Sequence, residues 1–94
     1  MAETETETDV LELVEIKTTF EDTKDLIIYN DDYNTFDYVI ESLVKVCKHE
    51  VIQAEQCTWI IHYNGKCAVK KGSFDVLRPM RQALSERGLD AKIH

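Results

Sequence analysis

Two groups of polar side chains in this chain combine residue types that could bind a cation. The first is Asn30-Asp31-Asp32, which directly follows an apolar run, and the second is His62, far along the chain. Amide oxygens, carboxylates and a neutral imidazole nitrogen all accept hydrogen bonds. Converging acceptors with net negative charge suit a primary ammonium group, because it offers three donors and one positive charge. These residues therefore predict a site for an amine, provided that the fold brings them together.

Two other interpretations fit the same side chains. Neighbouring carboxylates on a turn can simply be solvated, with no ligand at all. An Asp and a His can also act as a general acid and base. The acid–base interpretation lacks a nucleophile beside the Asp and His, a glycine-rich phosphate loop and a metal-binding motif. We therefore predict that the protein is not an enzyme and uses neither a metal nor a cofactor.

Local patterns predict the elements that would position these residues. The apolar run at 26–29 indicates a central strand or one covered on both faces. Asn34 can cap the next helix, in which apolar residues recur at helical spacing from Phe36 to Cys47. Asn64-Gly65 ends the second helix, so that His62 lies on its last turn. The predicted elements are a strand at 23–29, helices at 36–48 and 51–63, a strand at 66–70, a helix at 74–87 and a strand at 89–93.

This order of elements, β-α-α-β-α-β, predicts an α+β fold with two layers. A small, mostly antiparallel three-stranded sheet would be covered on one side by three helices. The acidic turn would lie at the edge of the sheet, where the first helix begins. Phe36, Val39 and Thr58 could line a small apolar cavity beside it. We expect His49 and His94 to lie on the surface.

Composition restricts the classes of partner and the organisation of the chain. A formal net charge of −7 in 94 residues argues against nucleic acid or an anionic membrane as the main partner. Alternating Glu and Thr near the start predict an acidic, flexible extension at 1–16 and one folded domain at 17–94, expected to be monomeric. Three cysteines without a Cys-x-x-Cys pair predict a reducing cytoplasm and buried or half-buried thiols.

Two short motifs resemble the signature of the ClpS adaptor family. They are Asn30-Asp31-Asp32-Tyr33, followed by Phe36 and Val39, and then His62-Tyr63-Asn64-Gly65-Lys66. The resemblance extends from about residue 25 to residue 93. It implies a domain similar to the C-terminal domain of the large ribosomal stalk protein. It also implies an adaptor that delivers N-end-rule substrates to the N-domain of a Clp-type AAA+ unfoldase and its peptidase.

The same resemblance implies roles for individual residues. The α-amino group and first peptide unit of a substrate would be bound by Asn30, Asp31 and His62, with support from Asp32. The pocket for a first side chain of Leu, Phe, Tyr or Trp would be lined by Asn34, Phe36, Val39, Thr58 and Leu89. Contact with the unfoldase would involve Tyr33 and Asp75.

The sequence departs from the family pattern around the pocket. Family members usually have Thr-Pro where this chain has Asn34-Thr35, and Met is common at the positions of Phe36 and Thr58. Thr58 should make one wall smaller and more polar while Phe36 fills space on the other, so the order of preference among first residues stays open.

The alternative function is a structural docking domain like the ribosomal stalk domain. Such a domain would use an exposed helix face and would need neither His62 nor a pocket.

Overall fold

The computed structural model describes residues 23–94 of the chain. Its elements follow the predicted order: β1 (Lys24–Tyr29), α1 (Phe36–Cys47), α2 (Val51–Asn64), β2 (Lys66–Gly72), α3 (Phe74–Glu86) and β3 (Asp90–Ile93). The predicted acidic extension at 1–16 lies outside the described residues. Within 23–94, no helix is both long enough and apolar enough to cross a membrane.

The central strand of the sheet is β1, as its apolar run predicts. The strand order is β2-β1-β3, and β1 pairs antiparallel with both neighbours. Leu26 and Ile28 are fully buried and belong to the same hydrophobic cluster as residues from all three helices, whereas Ile27 between them is only half-buried. One face of the strand therefore carries the core, and the α+β fold predicted from the sequence is confirmed.

The first helix is capped by a different residue from the one predicted. Thr35 is the N-cap, and its hydroxyl oxygen accepts the N–H of Tyr38 at 3.1 Å. The sequence predicts Asn34 at this position, but its side-chain amide donates hydrogen bonds to Asp31 in the preceding turn and to the carbonyl oxygen of Gly88. Both residue types are good caps, so the sequence alone could not separate them. α1 ends at Cys47, and Lys48 follows in the left-handed conformation with a φ of 60°.

The second helix packs through a narrow stripe and leaves large side chains uncovered. Ala54, Thr58 and Ile61 are buried, at the spacing of one helix face. Trp59 and Tyr63 lie outside this stripe and are 46% and 76% exposed. Gly65 closes the helix with a φ of 91°, and its N–H donates to the carbonyl oxygen of Ile61.

The surface position predicted for His49 is wrong. Its side chain is only 4% exposed, and its Nε2 lies 2.6 Å from the carbonyl oxygen of Val69 on β2. The connection between α1 and α2 is short, and the left-handed conformation of Lys48 reverses the chain there. The reversal brings the imidazole within hydrogen-bonding distance of β2, where it is buried. His94 is exposed, as expected.

Candidate functional site

The acidic turn after β1 is organised by the Asp31 carboxylate. Its Oδ1 accepts the backbone N–H groups of Tyr33 and Asn34 at 2.9 and 2.8 Å. Its Oδ2 accepts the side-chain amide of Asn34 at 2.8 Å. The same amide also donates to the carbonyl oxygen of Gly88 at 2.9 Å, which ties the turn to the connection between α3 and β3. The turn is therefore held in place by its own sequence and by a distant loop.

These hydrogen bonds keep Asp31 ionised. Burial by itself raises the pKa of the Asp31 carboxyl, because it disfavours the charged form. The hydrogen bonds from Asn34 and Tyr33 outweigh this effect, and the net pKa lies below its ordinary value. A carboxylate has about four lone-pair positions, and three are already occupied here. Asp31 thus contributes a permanent negative charge and has room for about one further donor.

The helix end that carries His62 is joined to the acidic turn through the main chain. The backbone N–H of Asn30 donates to the carbonyl oxygen of Gly65 at 2.8 Å. Beside this bond, Tyr29 pairs with Lys66 at the end of the β1–β2 ladder. His62 lies one turn before Gly65 in the chain. The two sequence motifs are therefore neighbours in space, with their relative position set by backbone hydrogen bonds.

A cavity of about 600 Å³ lies between the acidic turn and α2. It is lined by Asn30, Asp31, Asp32, Asn34, Phe36, Val39, Thr58, Trp59, Ile61, His62 and Tyr63. Every residue predicted to bind an amino group lines it, and so does every predicted side-chain-pocket residue except Leu89. Leu89 is 4% exposed and belongs to the hydrophobic core. The structure thus brings these side chains together, and their binding of a substrate stays a prediction.

The polar end of the cavity offers acceptors that the fold does not use. Among residues 23–94, the structure gives no side-chain hydrogen bond or ion pair to Asn30, Asp32 or His62. Asp31 adds a further carboxylate whose charge is fixed. Within the same part of the chain, no group of three or more His, Cys, Asp or Glu side chains is arranged to hold a metal ion. The arrangement suits a compact organic cation.

Several other lining side chains are apolar, or their hydrogen-bonding group already has a partner within the protein. The hydroxyl of Thr58 donates to the carbonyl oxygen of Ala54 at 2.7 Å, so its proton is committed within α2. The Phe36 ring packs against Trp59 with a centroid separation of 4.5 Å. Val39 and Ile61 are buried aliphatic residues. A ligand with a cationic head and an apolar side chain would match both the polar and the apolar residues of the lining.

Three lining residues were missed from the sequence: Trp59, Ile61 and Tyr63. Ile61 was assigned to the core face of α2, and the two aromatic residues lie off that face. A signal was present, since Trp59 precedes Tyr63 by one helical turn and Tyr63 is next to His62. Tyr33 and Asp75, predicted to contact a partner, lie outside the cavity, and both are exposed, Tyr33 by 94%.

Comparison with known proteins supports the sequence resemblance. The family model for the ATP-dependent Clp protease adaptor protein ClpS matches residues 21–92. The fold is similar to the solved structure of Agrobacterium tumefaciens ClpS2 bound to L-phenylalaninamide, with a TM-score of 0.67 and 17% sequence identity. That match covers 78% of this chain and 98% of the other. On the strength of the family match over most of its length, this chain belongs to the ClpS family of Clp protease adaptor proteins.

Proposed function

We propose that this protein binds polypeptides that begin with a free α-amino group and a bulky hydrophobic residue, and delivers them to a Clp-type AAA+ unfoldase. The observation that carries the proposal is the cavity itself. Its lining combines unused acceptors and an ionised carboxylate with apolar and aromatic side chains. The relative bound to L-phenylalaninamide, a small amine with an aromatic side chain, adds support.

The amino group is the part of the substrate that the polar end would recognise. A primary ammonium has three N–H donors, and Asn30, Asp32 and His62 have side-chain acceptors without partners in the described chain. Each charge-assisted hydrogen bond contributes about 1.5–3 kcal/mol. A positive charge on a chain start also complements the negative charge of Asp31 and Asp32. An internal peptide segment has no such group and would leave these acceptors unpaired.

The first side chain would occupy the apolar part of the cavity. The cavity volume lies within the range of small-ligand sites, about 300–1,000 Å³. Phe36, Val39 and Thr58 form walls that suit Leu, Phe, Tyr or Trp. Leu89 is buried in the core cluster that includes Val39, and we assign it an indirect part in shaping the pocket. Burial of a Leu or Phe side chain contributes roughly 1.5–3 kcal/mol.

The requirement for a free amine can be tested directly. A peptide beginning with Phe, labelled at its C-terminal end, would be titrated with the protein and followed by fluorescence anisotropy, alongside the same peptide with an acetylated N-terminus. Acetylation removes the charge and the donors, so we expect at least about tenfold weaker binding, equivalent to 1.4 kcal/mol. A matching peptide beginning with Ser should also bind weakly. Equal affinities for the free and acetylated peptides would exclude the proposed function.

The place of the amine can be tested with a pair of histidine variants. His62→Ala removes an acceptor that lines the cavity, and we expect at least about tenfold weaker binding of the Phe peptide. His94→Ala is the matched control, because His94 is exposed and its partner is Tyr29, outside the cavity. Unchanged binding by His62→Ala, with the free amine still required, would place the amine elsewhere.

Delivery to an unfoldase would use a different surface. Tyr33 is almost fully exposed beside the acidic turn, and Asp75 is exposed on the first turn of α3 between Phe74 and Val76, which are each 50% exposed. We infer that this surface contacts the N-domain of the unfoldase.

We also infer a cytoplasmic location and a monomeric state. The three cysteines are free thiols, which suits a reducing compartment. The alternative, a docking domain without a pocket, predicts no retention on an immobilised peptide with a free N-terminal Phe.

A further inference from the structure

A row of aromatic rings runs along one side of the cavity, starting beside His62. The Tyr63 ring lies edge-on to the imidazole, with centroids 5.1 Å apart. Tyr63 stacks on Trp59 at 5.2 Å with an interplanar angle of 7°. Trp59 in turn packs against Phe36 at 4.5 Å. We call Phe36, Trp59 and Tyr63 the aromatic ladder.

The aromatic ladder extends from the interior of the cavity to its mouth. All three residues line the cavity, but their exposure increases along the row. Phe36 is half-buried, Trp59 is 46% exposed and Tyr63 is 76% exposed. Trp59 and Tyr63 are four residues apart on α2, so they lie one above the other on the same side of the helix. The outer part of the ladder is therefore an aromatic surface that is continuous with the pocket and exposed to solvent.

We propose that Trp59 and Tyr63 form a second subsite, which receives the side chain of the residue that follows the N-terminal residue of a substrate. This inference rests on the proposed function, because the amine fixes where the peptide starts. Consecutive Cα atoms are about 3.8 Å apart. A peptide whose amine lies at His62 therefore places its second residue within reach of Tyr63, whose ring is 5.1 Å from that imidazole.

The chemistry of the subsite favours an aromatic or large aliphatic second residue over a small one. Stacked aromatic faces present apolar area at low conformational cost, and Trp and Tyr are common anchors in protein interfaces. An aromatic contact of this kind corresponds to about a three- to tenfold change in affinity. The sequence motif for the amine does not include Trp59, so this preference is a separate property of the chain.

The test compares the affinities of peptides that share the same first residue and differ in the second. Labelled peptides beginning Phe-Ala, Phe-Leu and Phe-Phe would be titrated by anisotropy against the unaltered protein. We expect Phe-Phe and Phe-Leu to bind about three- to tenfold more tightly than Phe-Ala. Equal affinities for the three peptides would overturn the second subsite.

Single-residue variants then test whether Trp59 and Tyr63 cause the preference for a large second residue. Tyr63→Ala and Trp59→Ala should each bring the Phe-Phe to Phe-Ala affinity ratio towards one. The ratio cancels any general loss of affinity caused by the altered pocket. Ile60→Ala is the matched control, because Ile60 has the same 46% exposure on α2 but does not line the cavity. A ratio that persists in both Tyr63→Ala and Trp59→Ala, or that falls equally in Ile60→Ala, would overturn the assignment.

Acetylated versions of the same peptides distinguish a failure of the second subsite from a failure of the proposed function. If the free amine is needed but the second residue has no effect, the second subsite is wrong and the proposed function stands. If acetylation has no effect, the proposed function is wrong, and the subsite that rests on it is wrong as well. Because Tyr63 is largely exposed, Tyr63→Ala should fold, which a thermal unfolding curve would check.

Discussion

At the scale of single residues, the site depends on how one carboxylate is used. Asp31 accepts three hydrogen bonds within its own turn, two of them from Asn34, whose side-chain amide also donates to the carbonyl oxygen of Gly88. Asp31 therefore has a structural part as well as a charge, and replacing it would disturb the turn and the amine site together. His62 and Asp32 are cleaner probes, because their side chains have no hydrogen bond or ion pair in the described chain.

The first prediction concerns Asn34→Ala. The variant loses two hydrogen bonds, so we expect the free energy of unfolding to fall by about 1–2 kcal/mol. The pKa of Asp31 should rise, because the variant removes the Asn34 side-chain hydrogen bond that lowers it, while the backbone N–H still donates. Urea unfolding and an NMR titration of the Asp31 carboxyl measure the two effects. Asn64→Ala is the control, since Asn64 is exposed and does not line the cavity.

The sign of the accompanying pH dependence follows from the lowered pKa. A carboxyl whose folded pKa lies below its unfolded value of about 3.9 stabilises the protein above that pH, and the stabilisation is lost as the pH falls through the folded pKa. In Asn34→Ala the two pKa values are closer together. The loss of stability on acidification below about pH 4 should therefore be smaller than in the natural chain. Parallel acid profiles would show that the Asn34 amide does not control Asp31.

At the scale of elements, the corner between α2 and β2 decides where His62 lies. Gly65 ends α2 in the left-handed conformation, and its N–H donates to the carbonyl oxygen of Ile61. Its carbonyl oxygen accepts the N–H of Asn30, the first residue of the acidic turn. A single residue therefore closes the helix and joins the two halves of the site. The geometry of the proposed amine site is a property of this corner, since the motifs lie far apart in the chain.

The second prediction compares two glycines with different backbone conformations, neither of which has a steric clash with an added Cβ. At Gly65 a Cβ would meet no atom within 4 Å, but the φ of +91° is unfavourable for other residues. Gly65→Ala should lower the free energy of unfolding by about 1–2 kcal/mol, and Gly65→Asn by less. At Gly72 the φ is not positive, and a Cβ would meet Val76 at an ordinary 3.5 Å. Urea unfolding should show a smaller effect for Gly72→Ala, and equal losses would contradict the conformational explanation.

At the scale of the whole molecule, one hydrophobic core supports the site and also contains a thiol. Cys47, at the end of α1, is fully buried in the cluster that includes Leu26 and Leu43. Burial raises the pKa of the Cys47 thiol to about 11, although the nearby Lys70 ammonium opposes the shift. Burial also raises the pKa of Cys67 on β2 to about 12, and the neighbouring Cys57 adds to it. The core therefore favours protonated thiols.

The third prediction is a loss of stability at alkaline pH. A group whose folded pKa is raised stabilises the protein below its unfolded pKa, and this contribution disappears as the pH rises towards the folded value. For Cys47 the window runs from about pH 9 to about pH 11. Urea unfolding in steps from pH 7 to pH 10.5 should show that Cys47→Ala loses less stability across this window than the natural chain. The cavity left by the variant should lower stability equally at every pH, so parallel profiles would contradict the prediction.

The sequence by itself determined the type and order of the elements, and which residues belong to the two motifs. Apolar spacing and the Asn64-Gly65 stop are local signals, and they act on the chain before any long-range contact forms. For this reason the predicted boundaries agree with the structure within two residues. The choice between Asn34 and Thr35 as cap was not settled locally, because both residue types are good caps and the Asn34 side chain also bonds to Gly88, which is far along the chain.

Only the tertiary structure decided which side chains share the cavity. The strand order β2-β1-β3 and the packing of α1 against α2 bring Phe36 onto Trp59 and make two exposed residues of α2 part of the site. The same packing places Leu89 in the core and turns His49 inward. Contacts between residues far apart in the chain depend on how helices and strands are arranged, and helical or strand periodicity has no information about that arrangement.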